Sequence, residues 1–404
     1  MAGLLKRIFP FALVVATSAW IAFRNISTGD YPADGGLAVE ALAGGDLSEY
    51  LATHVMMGPF ATLIQAPFAA VAGGGELDVY RWACLPCLLA VGLLGLYLGN
   101  LGKRRGVPAA ASWLIAGLCL VNPLTFAAIE LGHPEELLTG ALAVAAVAVA
   151  WQGHGLRAAL FLGLAVASKQ WAVIAILPTL MALPERRLRA ALVAGVVAVL
   201  LYLPGFVASP SAFSEVQENA ASTGRIVAPW SVWYPLASVE VKESTIGSTR
   251  YSAEIHRAPA AVGVISHPLI VLLVFAVPLG LALRRRRFGL SGPDAMALLA
   301  LLALLRCALD PVGNLYYHLP LLLALIGWDA LEARRWPLRS LVGSAVLLMF
   351  DHWSQNLGDV ALFNLAYIVV AVSAAAVVAL VLFRPAGAGQ GASATLDGRL
   401  RLVA

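Results

Sequence analysis

Charge is scarce in this chain. Of its 404 residues only 12% are Asp, Glu, Lys or Arg, while 60% are apolar, and the mean hydropathy is +0.83. A soluble domain carries about twice that share of charge, and here long uncharged runs recur from one end to the other, so the composition describes an all-α polytopic membrane protein. Cysteine is equally sparse. Cys84, Cys87, Cys119 and Cys307 all lie in or beside apolar runs. The pair in "CLPC" has redox or zinc spacing but no second pair to complete a site, which points to buried, inert thiols. No P-loop and no GxGxxG stretch is present, so a nucleotide-driven pump or a cytosolic nucleotide-sugar site has no visible basis. Without HExxH-like ligand spacing, neither a metal nor another cofactor is expected.

What remains is a succession of apolar segments. Candidate membrane helices run over residues 8–25, 82–99, 107–123, 135–150, 157–168, 170–183, 189–206, 264–283, 293–308, 315–330, 337–350 and 362–383, about twelve crossings in all, several shorter than the ~20 residues a bilayer asks of a helix. The first run follows Lys6 and Arg7 as in a signal peptide but lacks a cleavage context, so it is expected to be a retained helix. Basic clusters at Lys6–Arg7, 103–105 ("KRR"), 185–189 ("ERRLR"), 284–287 ("RRRR") and 332–339 assign one face, and both termini, to the cytoplasm. Residues 58–73, broken by Pro59 and Pro67, fit as a re-entrant or interfacial element. The expected organisation is an integral membrane unit over 1–383, with external loops 26–57 and 207–263, followed by a flexible cytoplasmic tail over 384–404.

The polar sequence collects at the opposite, external face. Asp30 and Asp34 sit among Gly29, Pro32, Gly35 and Gly36, where a bend can hold a carboxylate just beyond a membrane helix, with Asp34 as a candidate N-cap for the helical stretch that follows. "ELGHPEELLTG" brings Glu130, His133, Glu135 and Glu136 to the same face. Pro134 at a helix start and two acids near the positive end of its dipole explain half of that stretch without function. His133 is left as a phosphate donor or proton shuttle. Lys169 and Gln170 fall between two apolar runs too short to be comfortable crossings, a place for a phosphate-binding ammonium or for a snorkelling one. "RCALDPVGNLYYHLP" supplies Arg306, Asp310, Asn314, Tyr316, Tyr317 and His318, where a guanidinium fork suits phosphate oxygens and the tyrosines also suit an aromatic belt. Trp230 and Trp233 either anchor the long external segment or form a platform against the apolar face of a sugar.

Short hydrophobic helices, an acidic first external loop, "NPLTFAAIELGHPEELLTGALAVAAVA", "GLAVASKQWAVIAILPTLMALP" and "YYHLPLLL" together resemble the GT-C superfamily. The likeness is strongest to its bacterial alpha-mannosyltransferase-like branch, glycosyltransferase family 87, over about residues 8–380. That resemblance implies a bundle of about 12 to 13 membrane helices with short external interface helices. It also implies an inverting transfer of a hexosyl group, mannosyl by analogy, from a polyprenyl-phosphate donor to a lipid or glycan hydroxyl outside the membrane. Asp34 then looks like the base, with Asp30 four residues away as its rival. Lys169 matches the family's basic residue, and with Arg306, His133 and His318 it would face the donor phosphate. Glu135, Gln170, Asp310, Asn314, Tyr316, Tyr317, Trp230 and Trp233 would line the substrate. The chain departs from the pattern at "MMGPF" and "GHPEE", which leaves sugar and acceptor open. Membrane lipids, the lipid-linked sugar and its acceptor are the expected partners, nucleic acid is not, and the sequence sets no oligomeric state.

A secondary transporter or flippase is the competing class, since broken helices and intramembrane polar residues also build carrier sites. The two differ in geometry: a one-sided polar cluster suits transfer, and a central site between two pseudo-symmetric halves suits transport.

Overall fold

In the computed structural model the chain is described over residues 2–53, 56–221, 226–246, 249–333, 335–356 and 358–384. The expected tail, 384–404, lies outside the described residues except for Arg384, as do residues 54 and 55 of the first external loop and parts of 207–263.

Seven described helices are long and apolar enough to cross a membrane: Glu76–Arg104, Ala109–Glu130, Pro134–Trp151, Arg187–Ala208, Ala260–Arg285, Gly292–Leu309 and Val360–Leu382. Three shorter apolar helices, Ile8–Arg24, Gly155–Ser168 and Gln170–Ala182, accompany them, so a count of about twelve crossings is an approximate one. Helices that are apolar all round have no amphipathic face to declare where they sit, and burial sorts them. Pro134–Trp151 is the axis of the bundle, with 83% of its span buried, whereas Arg187–Ala208 has 11% buried and lies on the rim. Around the axis pack Glu76–Arg104, Gly155–Ser168, Gly292–Leu309 and Leu319–Glu332. Alanine and glycine make that density possible. A Cβ at Gly95 would stand 2.4 Å from the Ala116 carbonyl oxygen and one at Gly99 2.6 Å from that of Ser112, so the small residues let neighbouring backbones approach within a distance no larger side chain permits.

Three departures from regular helix matter for the site. Asn122 breaks the Ala109–Leu120 and Pro123–Glu130 helices apart, its Oδ1 accepting from Thr125 N at 3.0 Å as an N-cap before Pro123. The chain then turns through Leu131 and Gly132 and re-enters at Pro134. Lys169 separates Gly155–Ser168 from a 3-10 turn, Gln170–Ala175, which continues as Ile176–Ala182. This region was expected as a plain helix from 170 onward, and the tighter turn redirects it.

Residues 58–73 hold an 11-residue helix, Pro59–Ala69, about 16 Å long and so roughly half the hydrocarbon thickness. It packs against Leu37–Ala43, Glu76–Arg104 and Gly155–Ser168. The segment 207–263 adds what the sequence reading did not foresee: a helix, Pro210–Ala221, and an antiparallel hairpin of Ser238–Ile246 with Thr249–Arg257 in the register Ser238 opposite Arg257. Alternating β-branched and polar residues in "SVEVKESTI" are the strand signal.

Candidate functional site

The site begins where two loops cross. Gly29 and Gly132 both adopt positive φ, +51° and +89°, and a Cβ on Gly29 would fall 2.2 Å from the Leu131 carbonyl carbon, one on Gly132 2.4 Å from the Thr28 carbonyl oxygen. Only glycine fits either place. The close crossing is closed by Asp30 N donating to Leu131 O at 3.0 Å. Beneath it Tyr31 is buried against Tyr80, ring centroids 4.7 Å apart, and Tyr80 Oη donates to Ile129 O.

Asp34 is not the N-cap the sequence suggested. Residues Pro32–Gly36 form a π-helical turn that runs straight into Leu37–Ala43, whose cap position is Gly36. The backbone of Asp34 is held at both ends, N to Asp30 O at 3.0 Å and O from Met57 N at 2.9 Å. Its carboxylate is therefore spared capping duty and faces His133, Oδ2 lying 3.2 Å from Nδ1.

His133 sits at the mouth of the buried axial helix and gathers three carboxylates. Nδ1 lies 3.3 Å from Glu135 Oε1 as well as 3.2 Å from Asp34, and Nε2 lies 3.5 Å from Asp30 Oδ2. The ring stacks on Tyr316, centroids 4.2 Å apart and planes 19° from parallel. Burial by itself would push the imidazole pKa down, but hydrogen bonds that the ring donates to Asp34 and Glu135 outweigh it and raise it to about 9. The ring is thus positively charged at neutral pH.

Lys169 meets Glu135 from the other side and adds Glu136. Its Nζ is 2.5 Å from Glu135 Oε1 and 3.6 Å from Glu136 Oε1. Both glutamates are fully buried, and they can be, because a cation stands against them. Arg306 comes next. Its guanidinium lies between two rings, 5.0 Å from the Trp171 centroid and 4.5 Å from that of Tyr317, and its Nη1 is buried with no hydrogen-bond partner. Three cations, His133, Lys169 and Arg306, therefore face Asp34, Glu135 and Glu136. Such a shell can hold a phosphate against fixed positive charge and keep a carboxylate beside it.

The structure thus brings together Asp34, Asp30, His133, Glu135, Lys169, Arg306, Tyr316 and Tyr317 from separate segments. Gln170, one residue beyond Lys169, faces Tyr202. Asp310 and Asn314 shape the turn before the tyrosines, accepting from Val312 N at 3.1 Å and Leu315 N at 2.7 Å. Two expected ligands sit elsewhere. His318 is buried with Nδ1 3.1 Å from Leu315 O and Nε2 2.9 Å from Tyr367 Oη, so both ring nitrogens are committed to the core and it is not available to a phosphate. Trp230 is likewise a core residue, packed against His318, Phe350, Phe363 and Tyr367; burial, not membrane anchoring or sugar stacking, employs its ring. Trp233 donates Nε1 to Leu309 O at 2.7 Å. Two residues escaped the sequence reading. Glu136 reads from sequence as a helix-dipole acid and Trp171 carries no mark of a role; the burial of the first and the neighbours of both are what a single sequence does not show.

One ligand atom each from Asp34, His133 and Glu135 lies within 4.8 Å of the others, close enough to share a metal ion. Of these atoms, Glu135 Oε1 also faces the Lys169 ammonium, and His133 Nδ1 stands 3.2 Å from Asp34. A cavity of about 390 Å³ lined by Arg24, Asn25, Phe126 and Glu130 opens beside the loop crossing. A second, about 360 Å³, runs between Tyr50, Met57, Thr62, Leu200, Tyr202 and Phe213 on the far side of Met57.

The family model of glycosyltransferase family 87 matches residues 57–311. Among solved structures the chain is similar to ArnT from Cupriavidus metallidurans, crystallised with undecaprenyl phosphate, at 15% identity and a TM-score of 0.52, over 94% of this chain and 75% of that one. That likeness is one of fold. Comparison with the curated proteins gives no match. The match covers well over half of the chain, including the buried axial helix, Lys169 and Arg306, and the protein belongs to glycosyltransferase family 87, a multi-pass membrane glycosyltransferase with an ArnT-like helical fold.

Proposed function

We propose that this enzyme transfers a hexosyl group, mannosyl by analogy with the branch it resembles, from a polyprenyl phosphate to a lipid or glycan hydroxyl at the external face of the membrane, with inversion. The observation that carries this reading is the arrangement of Asp34: a carboxylate with 22% of its side chain exposed stands on one side of a shell whose other side offers Lys169 and Arg306. The undecaprenyl phosphate in the ArnT structure supports the donor class.

The chemistry follows from these positions. Asp34 takes the proton of the acceptor hydroxyl as its oxygen attacks the anomeric carbon; the C–O bond to the phosphate breaks and its electron pair stays on the phosphate oxygen. The leaving group is already an anion, so fixed cations serve it better than a general acid, and Lys169 and the Arg306 fork are those cations. His133 bridges the half-buried Asp34 at Nδ1 and Asp30, 74% exposed, at Nε2. The charged ring holds a proton on both nitrogens and takes no further one, so the proton that Asp34 accepts leaves to water through its exposed edge. The positions favour Asp34, held against the buried shell, over the more exposed Asp30 as the base. A transporter is disfavoured because the charged cluster gathers at one end of a single axial helix.

The test is a transfer assay on purified protein in lipid, beside donor binding. Asp34→Asn should lose about 100-fold or more in turnover while the donor still binds. Normal turnover in Asp34→Asn would remove the carboxylate mechanism, and collapse in Asp30→Asn alone would move the base by four residues.

A further inference from the structure

Glu136 has no part in the transfer described so far and, unlike Glu135, makes no close ion pair that would explain its place in the shell. Its side chain is fully buried and neither carboxylate oxygen accepts a hydrogen bond, a costly arrangement for an ionisable group inside a membrane protein. Glu135 takes the close ion pair with Lys169, at 2.5 Å, and Glu136 stands back at 3.6 Å. It is also the strongest single charge acting on Arg306, whose Nη1 is buried and unpartnered like itself. The helix start explains the division. Consecutive residues on a helix diverge by about 100°, so Glu135 turns to His133 and Lys169 while Glu136 turns to the space that Lys169 and Arg306 share. Packing does not require a second acid there, since Lys169 is already paired.

We propose that Glu136 sets the charge of the phosphate that the site retains, admitting the singly charged phosphodiester of the donor and expelling the doubly charged phosphomonoester left by transfer. The proposal rests on Lys169 and Arg306 forming the phosphate site. The charge balance is explicit. The donor is a phosphodiester with one negative charge. When its C–O bond breaks, the electron pair stays on oxygen, and the acceptor proton goes to Asp34 and out, leaving a monoester of charge −1.5 to −2 near neutral pH. Lys169 and Arg306 alone would bind that product more tightly than the donor and so inhibit the enzyme. A fixed carboxylate among them repels either ligand in proportion to its charge, and the product more. One unit charge several ångströms away, at a protein-like effective dielectric of about 20, corresponds to roughly tenfold or more in affinity. Glu136 touches no reacting atom in this scheme; it is a specificity residue that speeds release.

Two probes with one tail isolate the effect: farnesyl phosphate and its methyl diester, titrated at pH 7.5 into the full-length protein in lipid nanodiscs. The wild type should bind the diester at least as tightly as the monoester. Glu136→Gln should move the ratio of the two dissociation constants about tenfold toward the monoester, Glu136→Asp should return it, and inhibition of transfer by farnesyl phosphate should strengthen in the Gln variant. A merely structural role would weaken both probes together and leave their ratio alone. An unchanged ratio in folded Glu136→Gln, or a wild type that prefers the monoester, overturns the proposal, and the second result needs no variant. Failure of the underlying phosphate site looks different: Lys169→Gln and Arg306→Gln would then leave the binding of both probes unchanged.

Discussion

His133 Nδ1 lies 3.2 Å from Asp34 Oδ2, which joins the loop after the first helix to the mouth of the buried axial helix. The same ring is bounded by Glu135, Asp30 and the stacked Tyr316, with Lys169 beyond Glu135. Charge on His133 is therefore a structural as well as a chemical quantity.

Stability should fall as pH rises through the window between 6.5 and about 9. The imidazole pKa is raised in the folded protein to about 9 from an ordinary 6.5, so below 6.5 the ring is charged in both states and its contribution is complete, and above about 9 that contribution is gone. The size is about 3 kcal/mol at most. Thermal unfolding in one detergent, stepped from pH 6 to 9.5, should show the decline, and His133→Gln should flatten it. An equal slope in both proteins would take His133 out of the account.

Replacing Lys169 or Arg306 by Gln should weaken donor binding by roughly 2 to 5 kcal/mol, because each removes a desolvated partner of the phosphate. Lys169→Gln also strips Glu135 and Glu136 of their cation, so its melting temperature should drop further than that of Arg306→Gln. Calorimetric titration of donor lipid checks the first statement. Two folded variants with wild-type affinity would contradict the phosphate assignment.

Gly132→Ala should damage both fold and activity. Its Cβ would meet three backbone atoms of residues 28–31 at 2.4 to 2.6 Å at a φ of +89°, so the first external loop, and with it Asp30 and Asp34, has to retreat. Gly153 is the control: its φ is +84°, yet a Cβ there meets nothing within 4 Å. Gly153→Ala should cost only backbone strain, about 1 kcal/mol, with normal turnover. Matching losses in the two variants would show that the crossing of the loops is unimportant.

The arginine run at 284–287, costly to translocate, and the apolar helix Ala260–Arg285 before it predict that residues 284–287 lie inside and the segment before that helix outside. A cysteine at exposed Ser214 should react with an impermeant maleimide from outside, and one at Gly289 only after permeabilisation. The four native cysteines are buried and should stay silent. Labelling of both positions from one side would invalidate the topology.

Much of this protein follows from its amino-acid order. Long apolar runs leave a chain no solvent but lipid, and helices are the way a single segment satisfies its backbone there, so Val360–Leu382 or Gly292–Leu309 could be placed from sequence within a residue or two. Polar residues that interrupt such runs are costly enough to be noticed, which is why Asp34, His133, Lys169 and Arg306 stand out unaided. Their partnership could not be read the same way. Asp34 and His133 meet because two glycines let the loops cross, and Lys169 reaches Glu135 because a 3-10 turn redirects the chain at Ser168; both contacts span long stretches of sequence and depend on how helices pack. The same polarity that marks a ligand also marks a core residue with good partners. Only tertiary structure gave His318 to Tyr367 and Trp230 to an aromatic cluster, and turned Glu136 toward two cations, because a side chain's role is set by the groups that surround it after the chain has folded.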